Sequence, residues 1–173
     1  MSGLTVLIKK KADGSAALSC RRSDGSVTWQ RQEGTHGAFF PLHDLTHFAV
    51  ETELGYGKGF FGLVAEGWDI TDFGRPWPRG PLPAQALLAE VLVGFLDQER
   101  AAGELWSADE LRTSTAAYAS QSGVALEADL SDADLQRIRA RRGALFAQWS
   151  ALGAGETLAL TFHVAAGDVA PLA

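Results

Sequence analysis

Leu4-Thr5-Val6-Leu7-Ile8-Lys9-Lys10-Lys11, Asp13-Gly14, Ala16-Ala17-Leu18-Ser19-Cys20-Arg21-Arg22, Asp24-Gly25 and Ser26-Val27-Thr28-Trp29-Gln30-Arg31-Gln32 follow one another at the start of the chain. Each Asp-Gly pair sits between two runs that favour extended backbone, a strong short-range hairpin signal: a type I′ turn needs positive φ at both central residues, and Asp-Gly supplies it cheaply. Three strands, Leu4 to Lys11, Ala16 to Arg22 and Ser26 to Gln32, are therefore expected as an antiparallel meander over residues 1–33.

Past this meander the hydrophobic period changes. From Pro41 the apolar positions Leu42, Leu45, Phe48, Ala49 and Thr52 recur at helical spacing until the glycines at 55, 57 and 59. A second helix is expected from Phe60 to Trp68. Residues 72–83 hold four prolines, two glycines and Trp77, which bars regular hydrogen bonding and predicts an extended loop. Ala84 to Ala102 reads as a long helix. Ser107 with Glu110, and Ser131 with Asp134, are capping boxes that open two more, the second reaching about Leu152. Finally Leu158, Leu160, Phe162 and Val164 alternate with Thr157, Ala159, Thr161 and His163, the pattern of a strand with one buried face over residues 156–164. Strands first, helices across 41–153 and a strand last predict an α+β fold in one domain, residues 1–173, with the last strand completing the N-terminal sheet.

At 173 residues and 46% hydrophobic content the chain can bury a core without disulfides, and its one cysteine, Cys20, rules out an internal one. The longest apolar run, Ala86 to Leu96, is interrupted by Glu90 and Gly94, too short and too broken for a membrane span. Lys9 to Lys11 follow the first apolar run, the reverse of a secretory signal, so the expected location is cytoplasmic. A net charge of −6 speaks against broad phosphate-backbone binding, and nucleic acid is not an expected partner. The Arg137, Arg139, Arg141, Arg142 group, beside Asp132 and Asp134, reads as a solvated helix face.

The chemically pointed run is His43-Asp44-Leu45-Thr46-His47. Two histidines four apart on a helix lie one above the other and can reach one ion. His43, His47, Val50, Glu51 and Leu54 share one side of the helical wheel, and Leu45, Phe48, Ala49 and Thr52 the other, so the histidine side is expected to be buried. His36 lies close in sequence. For a third ligand the sequence offers Glu51, one turn beyond His47, and Glu66, favoured because a lone acid in the apolar run from Gly62 to Trp68 calls for a partner. Asp44 or Glu51 would orient a water or a histidine. With a single cysteine, any metal must take His and carboxylate ligands, and zinc is the expected ion.

His-Asp-x-x-His resembles the His-Glu-x-x-His signature of zinc metalloproteases, with Asp44 one methylene shorter than the glutamate that serves there as general base. Over about thirty residues the run more closely resembles the zinc motif of the coenzyme Q assembly proteins of ubiquinone biosynthesis, His-Asp-x-x-His followed by a glutamate on the next helix. In this chain the matching glutamate position falls on Gly59, and Glu66 comes later. The resemblance implies a zinc ligand set of His43, Asp44, His47 and a glutamate.

Two functions of different class follow. One is a metal-dependent, hydrolase-like enzyme acting on a small-molecule ligand, with the 72–83 loop and Trp77 walling the pocket. The other is a non-catalytic binding or homodimerisation domain in which Phe39, Phe40, Phe60, Phe61, Trp68 and Trp77 form a core or contact surface and the histidines serve only a hydrogen-bond network. Gly55 to Gly62 lacks the Lys-Ser/Thr ending and preceding strand of phosphate-binding loops and reads as an interhelical turn.

Overall fold

The computed structural model describes residues 3–164. Strands β1 (Gly3–Lys10), β2 (Ala16–Arg21) and β3 (Val27–Gln32) form the expected meander, and β4 (Thr157–His163) joins it on the far side of β1. The sheet is antiparallel throughout in the order β3-β2-β1-β4. Leu7, for example, stands opposite both Ser19 of β2 and Ala159 of β4.

The two hairpins depart from the expected type I′ geometry. Gly14 (φ 82°) and Gly25 (φ 87°) are left-handed, whereas no residue other than glycine has positive φ among the described residues, so Asp13 and Asp24 do not. Each aspartate spends its carboxylate on the backbone N–H two residues on, Ser15 at 3.0 Å and Ser26 at 2.9 Å. The N–H of Gly14 donates to Lys11 and that of Gly25 to Arg22, and the strands close one residue later. These are three-residue loops in which a turn is followed by a left-handed glycine.

Helices α1 (Phe40–Leu54), α2 (Phe60–Ala65), α3 (Ala84–Ala102), α4 (Ala108–Gln121) and α5 (Asp132–Ala151), with a 3₁₀ turn at Ile70–Phe73, make up the middle of the chain. Both capping boxes form as expected, Ser107 with Glu110 and Ser131 with Asp134. The inward residues of the sheet, Leu4, Val6, Ile8, Leu18, Cys20, Leu158 and Phe162, are buried with Leu45, Phe48, Ala49, Phe61 and Val64. Phe48, Phe61 and Phe162 pack within 6 Å of one another, knitting α1, α2 and β4 together.

Helix α1 is the central element, since α3, α5, α2 and the sheet all contact it. Pro41 sits in its first turn, where a missing N–H costs nothing, and Gly55 ends it with φ 66°. Enclosure on several sides explains why nine of its residues, including Asp44, His47 and Glu51, are buried. No helix is long and apolar enough to cross a membrane among the described residues.

Of the α5 arginines, Arg137 and Arg141 are exposed, as expected of a solvated face, whereas Arg139 and Arg142 turn inward. Arg142 is buried and Arg139 largely so, both bonded to the buried Glu99 of α3, while Arg137 and Arg141 pair with Glu53 of α1. Tertiary packing supplies acids from two other helices that the local sequence does not show.

Candidate metal centre

The i, i+4 spacing stacks His43 and His47 on the side of α1 that faces α3, with ring centroids 4.8 Å apart. A carboxylate can only accept a hydrogen bond, so each histidine contact with one fixes where a ring proton sits. His43 donates from Nδ1 to Asp97 Oδ2 of α3 at 2.7 Å. His47 donates from Nδ1 to Glu51 Oε1 at 3.1 Å. Both Nε2 atoms turn to Glu90 of α3, at 2.9 Å from His47 and 3.8 Å from His43. Each imidazole is thus braced at Nδ1 by a buried carboxylate and presents Nε2 to one exposed carboxylate. This is the support that metal-binding histidines usually receive from outer carboxylates.

One ligand atom from each of His43, His47 and Glu90 lies within 4.8 Å of the others. Bonds of about 2.1 Å at tetrahedral angles would place ligand atoms about 3.4 Å apart. The distances of 2.9 Å from His47 Nε2 to Glu90 Oε2 and 3.8 Å from His43 Nε2 to Glu90 Oε1 lie on either side of that value, each to a different oxygen of the carboxylate. Two nitrogens and an oxygen are a donor set that could hold a divalent metal ion. Glu90 is 61% exposed at its side chain whereas His47 is 6%, so the group opens to solvent on the glutamate side.

Protonation follows the same geometry. Burial alone pushes the His47 imidazolium down, but the hydrogen bonds and negative charges of Glu51 and Glu90 outweigh it and raise the pKa to about 10. Glu90 is held down at about 2, first by its hydrogen bond from His47. Without a metal, His47 is a doubly protonated cation bridging two carboxylates, and an ion binding there must displace the Nε2 proton.

The sequence-expected residues divide. His43 and His47 come together as expected, with Glu90 as the carboxylate beside them. Glu66, expected as the third ligand, instead ends α2 partly exposed and paired with Lys58. The apolar run around it turns inward and leaves the acid at the helix end. His36 is exposed and stands outside the group. Glu51 is fully buried and acts beneath the site: besides His47, it accepts the N–H groups of Phe60 at 2.8 Å and Phe61 at 2.9 Å, tying α1 to the first turn of α2. Gly59 makes this possible, since a Cβ there would lie 2.5 Å from the Glu51 carboxyl carbon. Asp44 turns to the sheet and accepts from Gln32 of β3. Burial, opposed by the Gln32 bond and the neighbouring histidines, raises its pKa to about 6. The proline-rich segment reaches the site through Phe73, 4.6 Å from Phe60, which lies 6.0 Å from His47; the Trp77 ring is engaged by Arg75 at 4.7 Å.

Glu90 and Asp97 carry roles that sequence reasoning did not assign. A signal existed for Glu90: it is a lone acid inside the apolar run from Ala86 to Leu96, the same property that recommended Glu66. Compared with family models, with curated proteins and with solved structures, the chain matches none.

Proposed function

We propose that His43, His47 and Glu90 bind a divalent metal ion, zinc first among the candidates, and that the ion activates water for a hydrolytic reaction on a small-molecule substrate. The observation that carries this reading is the pair of Nε2 atoms aimed at one carboxylate while both Nδ1 atoms are held from behind. A three-ligand centre with a solvent-facing side keeps a position for water, whose pKa a zinc ion brings near neutrality. Asp97 and Glu51 fix the imidazole orientations, and Phe39, 5.3 Å from His43, with Phe60 gives the site an apolar border. Asp44, hydrogen-bonded towards the sheet, fits a supporting charge better than a base that touches substrate.

Elemental mass spectrometry of protein purified without a histidine tag tests the proposal. Near-stoichiometric zinc, manganese or iron is expected in the parent and none in the His43→Ala/His47→Ala variant. A parent that is empty and takes up no added metal overturns it.

A second reading rests on the charge balance itself. The His47 imidazolium between Glu51 and Glu90 is already neutralised, so the same residues also suit a metal-free ion-pair network binding α1 to α3 in a non-catalytic domain. In that case Glu90→Gln lowers thermal stability and leaves metal content at zero.

A further inference from the structure

Among the described residues, the helices cover one face of the sheet and leave the other open. On the other face stand Gly3, Thr5, Leu7 and Lys9 of β1, Ala17, Ser19 and Arg21 of β2, Val27, Trp29 and Arg31 of β3, and Thr157, Ala159, Thr161 and His163 of β4. None of these is acidic, in a chain whose net charge is −6. Glu33, beyond the end of β3, is shared by Lys11 at 2.7 Å and Arg31 at 3.9 Å. Asp13 and Asp24 lie in the hairpin turns with their carboxylates committed to Ser15 and Ser26.

The register arranges what is left. Lys9 and Arg31 both stand opposite Ala17, one on each side of β2, about 10 Å apart from two strand spacings. Arg21 stands opposite Val27, four residues along β3 from Arg31, or about 13 Å. Between these cations runs the row Trp29, Ser19, Leu7, Ala159. Trp29 is 59% exposed and Val27 51%, with the Arg31 guanidinium 6.0 Å from the Trp29 ring centre. The face is thus a broad surface with an indole at one edge, small side chains in its middle and cations at three corners.

We propose that this face binds single-stranded nucleic acid, with a base stacked on Trp29 and phosphates at Lys9, Arg21 and Arg31. Open four-stranded sheets that present aromatic side chains receive two or three bases in this way, and aromatic platforms flanked by cations hold single strands with little sequence preference. An acidic peptide would satisfy the charges but would not need a solvent-exposed indole between them. The overall negative charge, which argues against wrapping a long duplex, is carried elsewhere and does not oppose a short contact on this face.

The test is fluorescence anisotropy of the full chain with a labelled homopolymeric single strand of about 12 nucleotides at about 50 mM salt, with tryptophan emission followed in parallel. Binding is expected with a log–log salt slope near −2, the value for about three phosphate contacts on a single strand. Trp29→Ala should weaken it by about tenfold or more, and Arg21→Glu/Arg31→Glu should weaken it further and flatten the slope. These side chains are exposed, so circular dichroism and melting should match the parent. Absence of binding by the parent, binding indifferent to either variant, or equal binding of poly-glutamate that ignores Trp29→Ala would each overturn the proposal, the last pointing to an acidic polypeptide.

Discussion

Two polar clusters share helix α3, and both are built from its acids. Glu90 and Asp97, two turns apart, meet the histidines of α1. Further along, Glu99 accepts the guanidinium groups of Arg139 and Arg142 and the N–H of Trp106 at 3.1 Å. The Glu99 cluster is closed: the carboxylate is 1% exposed and its oxygens are fully engaged. The histidine cluster is closed only from behind. Its front atoms, two Nε2 and one exposed carboxylate, form a group that can exchange a proton for an ion. Burial of charge alone therefore does not mark a functional site. The difference lies in whether any ligand atom is left facing outward.

Breaking the closed cluster should have the largest effect. Glu99→Ala strands Arg142 in the interior and leaves Arg139 unpaired. It should cost about 3–5 kcal/mol, as one-sided removal of a buried ion-pair partner does, read by urea unfolding. If the loss is under about 1 kcal/mol, Glu99 is as replaceable as a surface pair and the contrast fails.

Asp44 sharpens the comparison as a buried carboxylate with an amide rather than a guanidinium for its partner. Its folded pKa of about 6 lies above the ordinary 3.8, so folding favours the protonated form. The stability this contributes is complete below pH 3.8 and is lost as pH rises through about 6, an effect of about 3 kcal/mol. Asp44→Asn should remove that fall between pH 4 and 6 and leave the protein more stable than the parent at pH 7. A parent whose stability is flat over this range would contradict it.

The bracing carboxylates should matter through the ion. Asp97→Asn keeps an acceptor for the His43 Nδ1–H but removes the charge, and metal affinity should fall about 10–100-fold with little change in melting temperature. Competition with a chromophoric chelator measures this. Glu90→Ala should remove the metal. By taking away one of the two carboxylates that hold the His47 imidazolium, it should also lower stability modestly, by less than Glu99→Ala because the Glu90 side chain is mostly exposed. A large destabilisation without any metal signal would instead favour the ion-pair network.

How much of this could be read from the chain depends on the distance over which each feature is encoded. The sheet and helices were legible because Asp-Gly pairs, capping boxes and hydrophobic periods act within a few residues. The hairpin type was not, because the Asp side chain chose a local bond that turn propensity alone does not weigh. His43 and His47 were legible as a pair for the same local reason. Glu90 and Asp97 lie far along the sequence from them, and only the packing of α3 on α1 brings them into contact. Glu66 and Glu90 looked alike as lone acids in apolar runs; a helix end freed one and a helix interface employed the other.

The sequence alone determined the α+β order of elements, the capped starts of α4 and α5 and the stacking of two histidines on one side of α1, since local backbone geometry suffices for the features that were read. Helix α2, by contrast, ends at Ala65, short of the expected Trp68. Tertiary structure decided which carboxylates face the two histidines, that Asp44 turns to the sheet, and that, among the described residues, the cationic sheet face bearing Trp29 is left open. Those outcomes depend on which surfaces bury the most apolar area together, a property of the whole chain that no local window contains.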